Sequence, residues 1–315
     1  MSRVNLSTPR HALAVVTHHK SGTVLGMNVI VSMCCPEVQA HSNHGYFWSA
    51  WLRCRARCAA SLTKPTTRFY ANGLPIGALA SLQHRAKSLT VLHFVRSPVD
   101  MIVSGYLYHR SCAEPRWTNS SRMTGMWSGV AGSVQWFGDA VTARQVRKQL
   151  HGDGQQWSYC TLLQHASPAQ GLTAEATRSF GASDGVAKMV ADDRLLQQWS
   201  TGSSGAGGVV AHRLCMNHLR METESGRGRW AELGVLAGVP MLRLQPAWAA
   251  EHGTASRADG VEGVSRRELM RLARPLVREH LQAHGMGWQL ELQRCQFAST
   301  VECSCTDEEQ DALVL

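Results

Sequence analysis

A chain of 315 residues, 44% hydrophobic and carrying ten tryptophans, has enough apolar material for one large α/β domain, which excludes a disordered or low-complexity chain. The formal charge of +9 suits an anionic ligand. Its basic residues are dispersed apart from short runs such as Arg53, Arg55, Arg57 and Arg266-Arg267, and no zinc-finger spacing or aromatic-interleaved basic stripe points to nucleic acid. No run of 18 apolar residues predicts a membrane span, and the first ten residues are too polar for a signal peptide. Ten cysteines are too sparse for a disulfide scaffold, so the expectation is a cytoplasmic chain with its cysteines as thiols.

Residues 1–10 read as a lead, 11–300 as one α/β domain and 301–315 as an acidic, disordered tail. Leu13 to Thr17 is apolar enough for a strand buried on both faces, and Thr23 to Cys35 reads as an apolar helix closed by Pro36. Gly22 permits a tight turn between them. A strand that runs into a helix N-terminus presents free N–H groups and a positive dipole end, so Ser21, Gly22, Thr23 and Val24 are placed to wrap a tetrahedral anion with Lys20 beside it. Leu89 to Val95 is a second buried strand, ending in Arg96. Ser97 then stands at an N-cap, Pro98 at the first helical position and Asp100 at the third, with Ser104 two turns after the arginine.

Two junctions with a cation each predict one ligand carrying two anionic groups. A P-loop of the form G-x-x-x-x-G-K-[ST] is not met, because the lysine precedes Ser21 and Thr17 stands five residues before Gly22. A magnesium-dependent kinase would end the second strand in an acidic residue, and this strand ends in Arg96.

The remainder carries less chemistry. Residues 111–157 are polar and rich in Ser, Gly and Trp, a loop-rich insertion or solvated spacer. Thr161 to Arg178 reads as a helix interrupted at Ser167-Pro168, and Ala187 to Trp199 as another. Residues 200–208 form a flexible connection, Val209 to Met221 and Val239 to Leu244 are strand-like, and Trp230 to Leu236 is helical. Ser265 to His284 is an amphipathic helix with Leu269, Leu272, Leu276, Val277 and Leu281 on one stripe, expected to pack on the sheet. Cys54, Cys58, Cys303, Cys305, His41 and His44 do not fall at the spacings of a zinc finger or ribbon, so no metal is expected.

His19-Lys20-Ser21-Gly22-Thr23 resembles the 5′-phosphosulfate loop, P-K-S-G-T-T, of sulfotransferases that use 3′-phosphoadenosine 5′-phosphosulfate (PAPS). Arg96 to Ser104 resembles their 3′-phosphate motif, R-D-P-x-D-x-x-x-S, with the same spacing of eight and in the same order about 75 residues downstream. The resemblance spans roughly residues 10–110. It implies a three-layer α/β/α fold with a central, mainly parallel sheet, as in the P-loop-like sulfotransferases. It also implies transfer of a sulfuryl group from PAPS to a hydroxyl or amine of a small-molecule or carbohydrate acceptor, without a metal. Lys20 would stabilise the leaving oxygen, Ser21, Gly22, Thr23 and Val24 would hold the 5′-phosphate, and Arg96 and Ser104 the 3′-phosphate.

Departures are equally plain. His19 replaces the proline, Val24 the second threonine and Ser97 the aspartate after the arginine. The stretch Arg68 to Pro75 lacks the histidine base that cytosolic members carry there. His41, His44, His84 and His109 lie near the segments that flank the cleft, and the base stays unassigned among them. Two alternatives stand beside the sulfotransferase: a relative that binds the nucleotide without catalysis, and a P-loop nucleotide kinase or NTPase.

Overall fold

Four strands pair side by side, all in parallel. They are β1 (His11–Thr17), β2 (Thr66–Asn72), β3 (Ser88–Val95) and β4 (Gly208–Cys215), in the order β2-β1-β3-β4. The computed structural model describes residues 11–34, 66–72, 88–112, 137–151, 158–201, 208–216, 224–237, 260–261, 263–286, 294–296 and 302–304. Register aligns Val15 with Tyr70 on one side and Leu92 on the other, and Leu92 with His212. Because the strands are parallel and adjacent, the residues that follow β1 and β3 emerge together at one sheet edge. That edge is where ligands of open α/β sheets collect.

Side-chain parity along the strands divides the core into two layers. Val15, Leu92, Phe94 and Leu214 meet α1 (Thr23–Cys34) and α7 (Glu224–Ala237) through Leu25, Ile30, Trp230 and Leu233. Ala12, Ala14, Val16, Leu89 and Val91 face the opposite way, onto Leu196 of α6 (Val186–Thr201). Among the described residues the sheet is therefore covered on both faces, as parallel sheets require.

A third cluster is helical. It joins α2 (Pro98–Arg110), α3 (Ala140–Gln149), α4 (Tyr159–His165), α5 (Pro168–Gly181) and α8 (Arg266–Ala283) around Ile102, Tyr106, Phe137, Tyr159, Leu172 and Val277. The expected helix from Thr161 to Arg178 is split where Ser167 caps α5: Ser167 Oγ accepts from Gln170 N at 3.4 Å, and Ser167 N donates to Gln170 Oε1 at 3.1 Å. Helix α3 lies within 111–157, with its N-cap Asp139 accepting from Thr142 N at 2.6 Å. Helix α8 buries Leu269, Ala273, Val277 and Leu281, but it packs on α2 and α5, not on the sheet as the stripe suggested. Strand β4 stops at Cys215, short of the expected Met221, and α7 begins six residues before Trp230. Two short hairpins were not foreseen, β5 (Gly260–Val261) with β6 (Val264–Ser265) and β7 (Arg294–Gln296) with β8 (Glu302–Ser304). The strand expected over Val239 to Leu244 and the residues after 304 lie outside the described residues.

The thiol expectation is corrected: Cys112, Cys160 and Cys215 are all disulfide-bonded. Cys112, just past α2, and Cys160, in the first turn of α4, form a disulfide with a Cα–Cα distance of 5.3 Å. Their separation of 48 residues offers no motif, and only the packing of α2 beside α4 brings them together.

Beneath the loop after β1 lies a buried pair of imidazoles. His18 Nε2 is 3.0 Å from His93 Nε2, with the rings tilted at 76°. Asp192 stands 3.6 Å from His18 and is itself paired with Lys188; Asp193 stands 3.4 Å from His93 and 3.1 Å from Arg213. Burial, then His93, then Lys188 hold the His18 imidazole well below its ordinary range. Burial alone would raise Asp193, but His93 and Arg213 outweigh it and hold that carboxyl below its usual range.

Two outcomes follow from this packing. The unfolded chain takes up a proton at His18 near pH 6.5 while the folded chain refuses it, so stability is full above that pH and falls below it, by up to about 1.4 kcal/mol per unit for one site. Urea titrations at pH 7, 6 and 5 will show this decline, and His18→Gln will flatten it; equal slopes in both proteins would refute the assignment. A Cβ on Gly105 of α2 would come within 2.3 Å of Glu175 Oε1 on α5. Gly105→Ala is therefore expected to cost about 1–3 kcal/mol, read as a lowered urea midpoint, and an unchanged midpoint would contradict this close packing.

Candidate anion-binding site

Five residues, 18–22, turn the chain from β1 into α1. The turn closes on one carbonyl. Ser21 N donates to His18 O at 2.9 Å, Ser21 Oγ donates to it at 3.1 Å, and Thr23 Oγ1 donates to it at 2.9 Å. Ser21 Oγ also accepts from His18 N at 2.8 Å. Lys20 and Gly22 both take left-handed backbone angles, with φ of 63° and 88°. Any Cβ at Gly22 would also stand 2.6 Å from Met216 Sδ, so glycine is required there on both counts. The hydroxyls expected to wrap an anion are thus engaged within the loop, and the Lys20 ammonium lies 3.0 Å over the ring of Tyr108.

The second junction reaches across to the first. Arg96 Nη1 donates to Ser104 Oγ at 3.2 Å and to Lys20 O at 3.0 Å, which joins the two motifs across 76 residues of sequence. Arg96 Nε donates to Asp100, and Arg266 of α8 donates to the other oxygen of the same carboxylate. Burial would raise the Asp100 carboxyl, but Arg96 and Arg266 outweigh it and hold it below its usual range. Ser97 stands at the N-cap and Pro98 at the first helical position as expected, but the Ser97 side chain makes no capping bond. Two guanidinium groups, Arg96 and Arg266, thus share the one Asp100 carboxylate.

Beside Lys20 a chain of polar groups runs into the interior. His19 Nε2 lies 3.2 Å from His109 Nε2, and His109 Nδ1 lies 3.0 Å from Glu175 Oε2. Glu175 also accepts from Tyr159 at 2.7 Å and from Arg178, whose Nη2 is 2.6 Å away. His109, Tyr159, Glu175 and Arg178 are all buried. Burial alone would raise the Glu175 carboxyl, but Arg178 and then His109 outweigh it and hold it well below the usual range. Burial opposes the Arg178 charge too, and Glu175 outweighs it. Burial and then the Glu175 charge push the Tyr159 hydroxyl well above its ordinary value.

Of the residues expected from the sequence, Lys20, Arg96 and Ser104 converge, whereas Ser21 and Thr23 turn back onto His18. Gly22 supplies the turn, and the side chain of Val24, second residue of α1, lies outside the described residues. His41, His44 and His84 also lie outside them. His109 is placed inside the cluster at Glu175. Asp100 as a bridge, Tyr108 and Glu175 were not singled out, and His19 and Arg266 were named only as a replaced proline and part of a basic run; Glu175 and Arg178 at a spacing of three were the sequence signal for a buried helical ion pair. Among the described residues, no group of three or more His, Cys, Asp and Glu is arranged to hold a metal ion, and no helix is long and apolar enough to cross a membrane.

The chain was also compared with protein-family models, curated proteins and solved structures, and it matches none of them.

Proposed function

We propose that this chain binds PAPS at the shared edge of β1 and β3 and transfers its sulfuryl group to a hydroxyl or amine acceptor. One observation supports the reading: the Arg96 guanidinium touches both Ser104 Oγ and the Lys20 carbonyl, so the two motifs lie against each other at one sheet edge. The parallel sheet with helices on both faces suits the sulfotransferase fold that the motifs resemble.

The proposed chemistry needs little covalent help from the protein. The acceptor attacks sulfur in line, and the bond between sulfur and the 5′-phosphate oxygen breaks with its electron pair on that phosphate. Charge grows on the leaving oxygen, and positioned cations are the main means of stabilising it. Lys20 would serve the leaving 5′-phosphate, with N–H groups at the start of α1 beside it. Arg96 and Ser104 would hold the 3′-phosphate, with Asp100 and Arg266 setting the guanidinium's orientation.

A second reading is favoured by the engaged hydroxyls of Ser21 and Thr23: a protein that binds the bisphosphate nucleotide without transferring sulfate. The Cys112–Cys160 bond bears on location, because disulfides persist in oxidising compartments, and it favours a secreted or lumenal setting over the cytoplasmic one.

Calorimetric titration with adenosine 3′,5′-bisphosphate, beside ADP with magnesium, tests the site. Metal-independent binding of the bisphosphate is expected. Lys20→Ala and Arg96→Ala are each expected to weaken it roughly 10- to 100-fold, with thermal unfolding still cooperative. Unchanged affinity in both variants would remove the site, and binding of ADP–magnesium alone would point to a kinase. Release of labelled sulfate from PAPS onto an acceptor panel separates the transferase from the binding-only reading.

A further inference from the structure

One face of α2 receives both cations of the two motifs. Ser104 and Tyr108 stand four residues apart on that helix, about one turn, and so lie on the same side of it. Ser104 Oγ accepts from Arg96 Nη1 at 3.2 Å, and the Tyr108 ring meets the Lys20 ammonium 3.0 Å from its centroid. Both receiving side chains are buried, so core packing fixes where each stands. The other end of Lys20 is held as well. Its carbonyl accepts from Arg96 at 3.0 Å, and its φ of 63° is a left-handed angle that persists only where the surroundings impose it. A lysine side chain in water samples many rotamers, and ordering it weakens ligand binding unless the fold has ordered it beforehand. An aromatic face suits that task, because it attracts an ammonium without neutralising it as a carboxylate would.

Resting on the nucleotide site proposed above, we propose that Tyr108 is a positioning residue for the ligand. Its ring holds the Lys20 ammonium one helical turn from the contact between Ser104 and Arg96, and so sets the spacing of the two cations that receive the two phosphates. The ring touches no reacting atom and acts through Lys20. Because it serves only the cation of the 5′-phosphate, its contribution falls on ligands that carry a group there. Adenosine 3′,5′-bisphosphate has that group, and adenosine 3′-phosphate lacks it. The 3′-phosphate is left to Arg96 and Ser104, whose hydrogen bond does not pass through the ring. Discrimination between the two nucleotides is therefore the property that Tyr108 governs.

Calorimetric titration of the full chain with both nucleotides tests this. Tyr108→Leu is expected to weaken adenosine 3′,5′-bisphosphate roughly 5- to 30-fold and to leave adenosine 3′-phosphate within about twofold. Tyr108→Phe keeps the ring and should restore most of the lost affinity. In a Lys20→Ala background Tyr108→Leu should cost nothing further, because the cation it holds is gone. Should the leucine variant fail to fold, phenylalanines of increasing fluorine content at this position decide the matter. They keep the ring while draining its face of negative potential, so affinity for the bisphosphate should fall as fluorine is added. Equal losses for the two nucleotides would show a merely structural role and overturn the proposal. So would tighter binding by Tyr108→Leu, a phenylalanine variant as weak as the leucine one, a further loss in the Lys20→Ala background, or no trend with fluorine. Any of these beside wild-type binding of the bisphosphate leaves the nucleotide site standing; absent binding by the wild type removes the site and the proposal with it.

Discussion

The Arg96 guanidinium is the constraint on which the rest of this molecule depends. A parallel sheet with β1 beside β3 delivers two chain segments to one edge, but it does not fix how the loop after β1 sits against α2. Arg96 does that by donating at once to Ser104, to the Lys20 carbonyl and to Asp100. Each charge-assisted bond contributes on the order of 1.5–3 kcal/mol. Asp100 in turn binds Arg266, so the N-terminal end of α8 is tied to the same centre. Sheet edge, loop, α2 and α8 are thereby referred to one planar group.

Around that centre the two histidines of the loop diverge. His18 turns down to His93 of β3, above Asp192 and Asp193, and His19 turns to His109 of α2. Lys20 follows directly, so its backbone is held between two imidazole pairs of different character. His18 is sealed and charge-averse, whereas the pair at His19 ends in a buried carboxylate held below its usual range. The Glu175–Arg178 ion pair makes this possible, because the guanidinium compensates the carboxylate in an interior where an isolated charge would cost several kcal/mol.

Much of this was legible in the chain, for definite reasons. Strands β1 and β3 are apolar at nearly every position, and their ends carry Gly22 and Ser97-Pro98, so boundaries fell within two residues. The spacing of Arg96 and Ser104 placed both on the second junction, where Arg96 Nη1 donates to Ser104 Oγ. Strand β2, Thr66–Asn72, carries Thr, Arg and Asn and gives no buried-strand signal. The partner of α8 was misread because an apolar stripe states that a face is covered, not by what. Ser21 and Thr23 were correctly placed in the turn, but whether a hydroxyl serves a ligand or its own loop is decided by local competition for one carbonyl. The inward run from His19 joins residues 19, 109 and 175, a non-local set that no single window of sequence contains.

The Cys112–Cys160 bond turns residues 112–160 into a covalent ring whose ends meet 5.3 Å apart between α2 and α4. In such a ring the entropy of closure grows only as the logarithm of length, so doubling the enclosed segment costs about 0.6 kcal/mol. A change in the length of the ring therefore costs the helices that anchor it little, provided that Phe137 and α3, which the ring carries into the helical core, are kept. Evolution can alter the ring's length while Ser104, Tyr108 and His109 on α2 stay where they are.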